Sequence, residues 1–117
     1  MNNNSTGTHV IIDIYNIKNK EILKFSPSII AIMDMIIEEF NLNVVEKAIH
    51  QFKPFGATGV YVLSESHLSI HTYVEEGKMA MDLYTCKDFT ETNKLTKLLK
   101  EDVFKNDCEI TIRRILR

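Results

Sequence analysis

The residues best suited to chemistry lie in one stretch, SESHLSIHT at 64–72, and at Cys86. The stretch offers a hydroxyl at Ser66 and imidazoles at His67 and His71, and Cys86 adds a thiol. Hydroxyls and thiols can act as nucleophiles, and imidazoles can move protons near neutral pH. The same types could bind a metal ion, but His67, His71 and Cys86 do not complete a ligand set of defined spacing, so we predict no metal site. Taken singly, each also has an ordinary structural role, such as a turn serine or a small buried cysteine.

Length and composition limit the class of protein that could position these residues. The 117 residues predict one domain, and 14 basic against 16 acidic side chains give a net charge of −2, so we expect no nucleic-acid partner. No apolar run is long enough for a membrane span. The start, MNNNSTGTH, has no basic or apolar region of a signal peptide, so we expect no secretory signal there, and we expect residues 1–6 to fray. Only two cysteines, Cys86 and Cys108, are present, which indicates a reducing cytoplasm. We read Cys108 as structural.

Five segments have the β-branched and aromatic composition typical of strands. They cover residues 8–15, 57–64, 67–74, 78–86 and 108–116. A sixth segment, 43–52, fits either a strand or a weak helix, and we favour the strand. The sequence EEGK at 75–78 predicts a hairpin loop in which Gly77 takes a positive φ.

Two segments carry apolar residues at helical spacing. The first begins at Ser26-Pro27, with serine as the predicted N-cap and proline at the first helical position, and it runs to Phe40. The second has Leu95, Leu98, Leu99 and Val103 on one face. The order β-α-β-β-β-β-α-β predicts a single α+β domain over residues 1–117, a mainly antiparallel sheet with both helices on one face.

The predicted strands alternate between an apolar face and a polar face. In the strand at 67–74, Leu68 and Ile70 oppose His67 and His71. Because two helices can cover only one face, the second face is solvated, packed on a partner or part of a site. The same alternation places further polar residues on that second face, namely His9, Asp13, Asp82, Tyr84 and Cys86.

The segment around Ser66 resembles the prokaryotic S-adenosylmethionine decarboxylases, small pyruvoyl-dependent enzymes of polyamine synthesis. The resemblance covers most of the chain: GTHVIID at 7–13 is similar to the family's opening strand, and FKPFG at 52–56 to its loop before the processing strand. The core Glu65-Ser66-His67, with His71 five and Cys86 twenty residues after Ser66, falls at the family's spacing. The joint match is far more specific than the tripeptide alone.

The resemblance implies a chain that cuts itself. A decarboxylase must accept the electron pair left when CO2 departs, and no ordinary side chain does so. In this family the hydroxyl corresponding to Ser66 attacks the carbonyl carbon of the residue corresponding to Glu65. The ester then undergoes β-elimination, and loss of ammonia leaves a covalent pyruvoyl group, the implied cofactor. Cleavage would give a β chain of 1–65 and an α chain of 66–117, and the substrate amine would form a Schiff base with the new ketone.

The resemblance also implies the supporting roles. His71 would be the acid/base of processing, and Thr58 would help to polarise the carbonyl under attack. Cys86 would return a proton to the substrate α-carbon. Glu75 resembles the family's ribose-binding carboxylate, and Phe52 resembles the aromatic residue that stacks on adenine.

Strand alternation does not by itself place Ser66 beside His71. The two residues are an odd number of positions apart, so a regular strand puts them on opposite faces. We therefore expect a bend near Glu65-Ser66 that brings them together.

The chain departs from the family's pattern near the expected substrate pocket. The family commonly continues its processing motif as His-Thr-Trp-Pro-Glu, where this chain has HTYVE at 71–75. Lys87 replaces a glycine after the cysteine, and Phe55 replaces a polar residue before Gly56. None of these changes touches the residues expected to process the chain, so they concern the choice of substrate.

We predict a cytoplasmic, self-processing enzyme that converts S-adenosylmethionine, a small-molecule substrate, into decarboxylated S-adenosylmethionine and CO2 for spermidine synthesis. The resemblance also implies a homodimer, with two protomers packed sheet to sheet in an αββα sandwich and sites at or near the interface. Two alternatives stay open. The same pyruvoyl chemistry could act on L-ornithine or L-arginine, or the chain could be an uncleaved, non-catalytic homologue that serves as a partner subunit.

Overall fold

The sheet is antiparallel throughout, and its strands do not follow chain order. The computed structural model describes residues 7–117, and the expectation for residues 1–6 lies outside them. The strands are β1 (Thr8–Tyr15), β2 (Val44–Gln51), β3 (Ala57–Leu63), β4 (Ser66–Tyr73), β5 (Lys78–Thr85) and β6 (Glu109–Leu116). They form one sheet in the order β2-β3-β4-β5-β1-β6. The ambiguous segment 43–52 is thus a strand, as favoured.

Both helices cover the same face of the sheet. Helix α1 (Ser26–Glu39) contacts β2, β3 and β4, and helix α2 (Thr92–Lys97) contacts β6. The second helix continues in π-helical turns at Leu98–Val103, and a 3-10 helix at Lys20–Leu23 precedes α1. No helix in residues 7–117 is long and apolar enough to cross a membrane. The predicted α+β class is confirmed, whereas the π-helical turns were not predicted.

Alternate residues of the central strands form the core beneath these helices. The side chains that point into it are at most 3% exposed: Val10, Ile12, Ile14, Leu68, Ile70, Met79, Met81 and Leu83. Cys108 is also buried, and burial raises the pKa of its thiol. These positions match the predicted apolar faces, and the structural role predicted for Cys108 agrees with its burial.

The start of α1 differs from the prediction by one residue. Phe25 is the N-cap, and Ser26 and Pro27 are the first two helical residues. The amide of Ser26 donates to Oε1 of Gln51 at 2.7 Å, so an amide that the helix leaves unpaired is satisfied from β2. The partner lies 25 positions along the chain, beyond the reach of local capping rules.

The turn between β4 and β5 is the predicted glycine hairpin. Gly77 has a φ of 61°, a left-handed conformation that favours glycine. A Cβ at this position would lie 2.8 Å from the carbonyl oxygen of Ile17, so the close approach also excludes a side chain. This turn carries Glu75 at one end of the sheet.

The helices leave the second face of the sheet uncovered. Its polar side chains come from the three central strands β4, β5 and β1, in agreement with the predicted alternation. Apolar side chains share this face, and Val62 and Tyr73 are 45% and 47% exposed. We call this surface the open face.

Candidate active site

Glu65 and Ser66 lie at the turn that joins β3 to β4. Ser64 and Glu65 form the turn, and Ser66 is the first residue of β4, where it pairs with Leu63. Asn43 supports the turn, because the amide of Ser64 donates to its carbonyl oxygen at 3.0 Å. Glu65 is exposed and Ser66 is half-buried, so the peptide bond between them is accessible at the end of the sheet.

The thiol of Cys86 contacts this peptide bond. Cys86 follows the last residue of β5, and its Sγ donates a hydrogen bond to the carbonyl oxygen of Glu65 at 2.8 Å. A donor on a carbonyl oxygen stabilises the negative charge that develops there when a nucleophile attacks the carbon. The structure therefore brings Glu65, Ser66 and Cys86 together. They line a pocket of about 480 Å³ whose other walls include Phe40, Leu63, Lys87 and Phe89.

Two buried threonines hold the loop that follows Cys86. The hydroxyls of Thr8 and Thr85 donate to the carbonyl oxygen of Lys87 at 3.0 and 2.9 Å. The amide of Phe89 donates to Oγ1 of Thr8 at 3.2 Å. The loop backbone is thus fixed by β1 and β5. Sequence analysis missed both threonines, and the available signal was a hydroxyl on the apolar face of each strand.

The two cysteines differ in access. Both are free thiols, but Cys86 is exposed, whereas Cys108 is buried in the core. Burial raises the pKa of the Cys108 thiol, which disfavours its reactive thiolate form. Only Cys86 is available to chemistry at the surface.

Thr58 and His71 meet at the other end of the same hairpin. They pair directly across β3 and β4, and Oγ1 of Thr58 lies 3.2 Å from Nδ1 of His71 within hydrogen-bonding distance. The His71 side chain is exposed on the open face. The structure brings these two predicted residues together, so the imidazole has an orienting hydroxyl beside it.

Phe52 and Glu75 share a groove at this same end. A groove of about 240 Å³ lies between the loop before β3 and the turn after β4, and both residues line it with Phe55, Gly56 and Thr72. The Phe52 side chain is 48% exposed, and its ring contacts His50 edge to face at a centroid distance of 4.5 Å. An exposed aromatic ring and an exposed carboxylate therefore face one opening.

Gln51 holds the loop that carries Phe52. Its Nε2 lies 3.0, 3.0 and 2.9 Å from the carbonyl oxygens of Lys24, Phe52 and Gly56 and shares its two hydrogens among these three acceptors. Its Oε1 accepts from the Ser26 amide, as described above. One side chain thus joins β2, the start of α1 and the Phe52 loop, a role that sequence analysis missed.

A single protomer does not bring Ser66 and His71 together, and the expectation of a bend that would do so is wrong. The chain does turn at residues 64–65, but this turn precedes Ser66 and joins two strands. Ser66 and His71 both belong to the regular strand β4. Five steps of about 3.3 Å separate them by about 16 Å along the strand, and their side chains leave opposite faces.

A hydrogen-bonded cluster occupies the middle of the open face, and we call it the Asp82 cluster. Oδ2 of Asp82 accepts from Nε2 of His9 at 2.7 Å and from Nε2 of His67 at 2.8 Å, and Oδ1 accepts from Oγ of Ser69. Burial alone would raise the pKa of the Asp82 carboxyl, but the hydrogen bonds from Ser69, His67 and His9 together hold this pKa below its usual range. Sequence analysis placed His9 and Asp82 on this face without a role.

The Asp82 cluster also contains atoms of the kinds that bind metal ions. One such atom from each of His9, His67 and Asp82 lies within 4.8 Å of the other two. This set differs from the one weighed in the sequence, whose His71 and Cys86 lie at opposite ends of the sheet. The geometry favours hydrogen bonding over metal binding. NH1 of Arg117 lies 3.0 Å from Nδ1 of His9, and because a guanidinium can only donate, Nδ1 accepts and Nε2 carries the hydrogen. A metal would need the lone pair of that Nε2.

Comparisons with known proteins assign the chain to a family. The family model described as S-adenosylmethionine decarboxylase matches residues 8–117. The chain is 41% identical over 97 residues to an S-adenosylmethionine decarboxylase proenzyme of Thermosipho melanesiensis, covering 83% of this chain and 74% of the relative. It is 33% identical over 113 residues to a proenzyme of the same name from Clostridium botulinum strain Langeland, covering 96% and 94%.

A solved structure agrees. The crystal structure of the adenosylmethionine decarboxylase from Aquifex aeolicus has a TM-score of 0.82 and 27% identity, over 97% of this chain and 91% of that one. The shared architecture therefore extends over nearly the whole length of both proteins. The fold, the relatives and the match from residue 8 to the end lead to one assignment: this chain belongs to the S-adenosylmethionine decarboxylase family.

Proposed function

We propose that this chain is a self-processing, pyruvoyl-dependent decarboxylase that converts S-adenosylmethionine into decarboxylated S-adenosylmethionine and CO2. The observation that carries the proposal is the 2.8 Å hydrogen bond from Cys86 Sγ to the Glu65 carbonyl oxygen, on the peptide bond that precedes the Ser66 hydroxyl. The name proenzyme, which the relatives carry, supports a chain that matures by cleavage. The product is the aminopropyl donor for spermidine, so the proposal includes a place in polyamine synthesis.

Ser66 is the nucleophile of processing. Its Oγ attacks the Glu65 carbonyl carbon while the Cys86 thiol hydrogen-bonds to the carbonyl oxygen, and the peptide bond is exchanged for an ester. β-Elimination frees the Glu65 carboxylate, and water then displaces ammonia from residue 66. The pyruvoyl group left at residue 66 supplies the carbonyl that accepts electrons during decarboxylation. The residues present fit this group, because position 66 carries the required hydroxyl and a free thiol lies against the bond to be cut.

Cys86 has a second role during turnover. Its Sγ lies within hydrogen-bonding distance of the backbone next to residue 66, and we assign to it the return of a proton to the substrate α-carbon. This role requires a reduced thiol, which fits the cytoplasm, where we place the enzyme.

A complete site needs two copies of the chain. The reactive residues, Ser66 and Cys86, lie at one end of β4, whereas the processing base His71, with Phe52 and Glu75, lies at the other. We propose a homodimer in which the open faces pack together, as the family resemblance implies, and in which the facing strands run antiparallel. Each copy would then supply its His71 to the β3–β4 turn of the other, where the Glu65–Ser66 bond is accessible at the end of the sheet. The partly exposed apolar side chains on the open face support such packing.

The strand order supports an enzyme that stays assembled after cleavage. The proposed β chain, 1–65, contributes β1, β2 and β3, and the proposed α chain, 66–117, contributes the other strands. In the sheet β1 lies between β5 and β6, so it is hydrogen-bonded on both sides to the α chain. β3 also pairs with β4 across the cut. The two chains therefore interleave within one sheet.

The groove at Phe52 and Glu75 favours S-adenosylmethionine over ornithine or arginine. An exposed ring can stack on adenine and attract a sulfonium cation, and a carboxylate can accept from two ribose hydroxyls. Ornithine and arginine have neither an aromatic base nor a ribose. The two residues share one opening, which supports a nucleoside-bearing substrate.

The test measures cleavage and substrate on one sample. Intact mass of the denatured protein should show two chains of about 7.5 and about 6 kDa instead of 13.5 kDa, in proportion to their lengths. CO2 release should be fastest from S-adenosylmethionine, compared with L-ornithine and L-arginine. Ser66→Ala should remain one chain and release no CO2, whereas residual decarboxylation would contradict the pyruvoyl mechanism. A wild-type chain that stays uncut and inactive would indicate the partner-subunit alternative.

A further inference from the structure

We propose that the Asp82 cluster positions the residue-66 end of the α chain after cleavage. His67 is the residue held, Asp82 is the residue that holds it, and His9 ties the cluster to the β chain. The inference rests on the proposed function, because it concerns the chain cut between Glu65 and Ser66. These are positioning residues, since they act on residue 66 through its neighbour.

Processing removes two restraints on residue 66, namely its bond to Glu65 and its backbone N–H. In the uncut chain a peptide bond holds it on each side, and Ser66 pairs with Leu63. After cleavage it is the first residue of a strand, and its backbone nitrogen leaves as ammonia, so it has no N–H to donate to the sheet. Chain ends fray unless other contacts fix them. A reacting group in this position needs an anchor close by, because small displacements from the reacting geometry are costly.

His67 is the nearest side chain that can serve as this anchor. It follows residue 66 directly and donates from Nε2 to Oδ2 of Asp82 at 2.8 Å. Its ring stacks on Tyr84 at a centroid distance of 6.1 Å and an interplanar angle of 22°. Tyr84 also pairs with His67 across β4 and β5. One peptide unit therefore separates residue 66 from a side chain held by two contacts.

Asp82 is itself fixed from several sides. Ser69 donates to Oδ1, and Nε2 of His9 donates to Oδ2 at 2.7 Å. His9 in turn accepts from Arg117 at 3.0 Å. The low pKa of the Asp82 carboxyl keeps it an acceptor for these donors at neutral pH. His9 belongs to the proposed β chain and the other members to the α chain, so the cluster also joins the two chains across the cut.

The experiment compares Asp82→Asn in two backgrounds by hydrogen–deuterium exchange read by mass spectrometry. The native Ser66 background cleaves and the Ser66→Ala background does not. Asparagine keeps the size of aspartate but replaces one acceptor oxygen with a donor. We expect amide exchange in residues 67–70 to rise about tenfold or more in the cleaved protein, as for a frayed strand end. In the uncut background, exchange of the same amides should rise only a few-fold, in line with a general loss of stability. Asp13→Asn is the matched control, because Asp13 lies on the same face of β1 as His9 but is not part of the Asp82 cluster.

A second pair of variants keeps the test decisive if Asp82→Asn does not fold. His67→Ala should loosen the same amides mainly in the cleaved background, and His67→Gln, which keeps an N–H donor, should restore much of the protection. Equal loosening in both backgrounds would reduce the cluster to general structural support and overturn the inference, as would no loosening in either. A wild-type chain that remains uncut would overturn both this inference and the proposed function.

Discussion

The two ends of the β3–β4 hairpin carry different groups of the predicted site residues. The turn end holds Ser66 beside a thiol that is already hydrogen-bonded to the neighbouring carbonyl. The open end holds His71 beside Thr58, together with the groove at Phe52. In the proposed mechanism the first end supplies the nucleophile and the proton-returning thiol, and the second supplies the processing base and the substrate groove. The length of β4 separates the two ends. The comparison teaches that one folded chain does not bring these two groups of residues together, so the proposed site needs the open face of a second copy.

The largest expected effect is a loss of cleavage and activity that is restored when Ser66 and His71 are supplied by two different copies of the chain. Ser66→Ala lacks the nucleophile and His71→Ala lacks the processing base, so each variant alone should remain uncut and inactive. Co-expression should restore cleavage, because a mixed dimer pairs the intact Ser66 of one copy with the intact His71 of the other. Random pairing should recover roughly a quarter of the wild-type sites, measured by gel analysis and CO2 release.

The control for this experiment pairs His71→Ala with the double variant Ser66→Ala/His71→Ala, which offers no intact base and should recover nothing. If mixed dimers form but stay uncut, the two ends do not meet between copies. Cleavage of His71→Ala alone would instead remove His71 from processing.

The next effect tests the thiol at the turn end. Cys86→Ala should still cleave, more slowly, because the Ser66 hydroxyl remains. Turnover per cleaved chain should fall about 100-fold or more, the range typical of a lost general acid. CO2 release normalised to the cleaved fraction measures it. Cys108→Ala, which removes the buried thiol, is the matched control and should keep normal turnover. If Cys86→Ala stays a single chain, the assigned division of roles is wrong.

A smaller effect tests the groove at the open end. Glu75→Gln should raise the KM for S-adenosylmethionine about tenfold, because weaker acceptors for the ribose hydroxyls cost about 1.4 kcal/mol of binding. Cleavage should be normal, because Glu75 has no assigned role in processing and lies at the opposite end of the hairpin from the Ser66 of its own copy. Initial rates over a range of substrate concentrations measure it, with the exposed Glu101→Gln as control. An unchanged KM would remove Glu75 from the substrate site.

The smallest expected effect is a pH-dependent contribution of Asp82 to thermal stability, and Asp82 lies between the two ends of the hairpin. The folded-state pKa of Asp82 is lowered from its ordinary value of 3.8, so its stabilising contribution is present above that value and is lost as pH falls through the folded pKa. In the uncut Ser66→Ala background, Asp82→Asn should lower the Tm by a few degrees at pH 7. The difference in Tm between the variant and its background should become smaller at pH 3. Thermal unfolding followed by circular dichroism measures it, and a constant difference would contradict the ionised role of Asp82.

Much of the fold follows from local patterns in the sequence. Alternation along β4 predicts which residues enter the core, and Gly77 predicts the hairpin that carries Glu75. The spacing of Ser66 and Cys86 carries the family resemblance. These features depend on residues that are close in the chain or on a whole motif, so sequence alone suffices for them.

The rest depends on register between distant strands. Gln51 caps α1 from β2, and Thr8 holds the Lys87 carbonyl from 79 positions away. Neither contact leaves a local signal. The odd spacing of Ser66 and His71 did indicate opposite faces of the strand. The expected bend was wrong because both residues belong to one regular strand, whose length keeps them apart within one chain.

The position of β1 between β5 and β6 makes unfolding of a cleaved protein hard to reverse. An uncut chain refolds as one molecule at a rate independent of concentration. Once cut and unfolded, two separate peptides must first meet, and one must then insert β1 into a gap between strands of the other. Regaining the native state becomes a slow second-order process that competes with aggregation. The half-life at working temperature, and not a reversible melting point, then measures the durability of the mature enzyme.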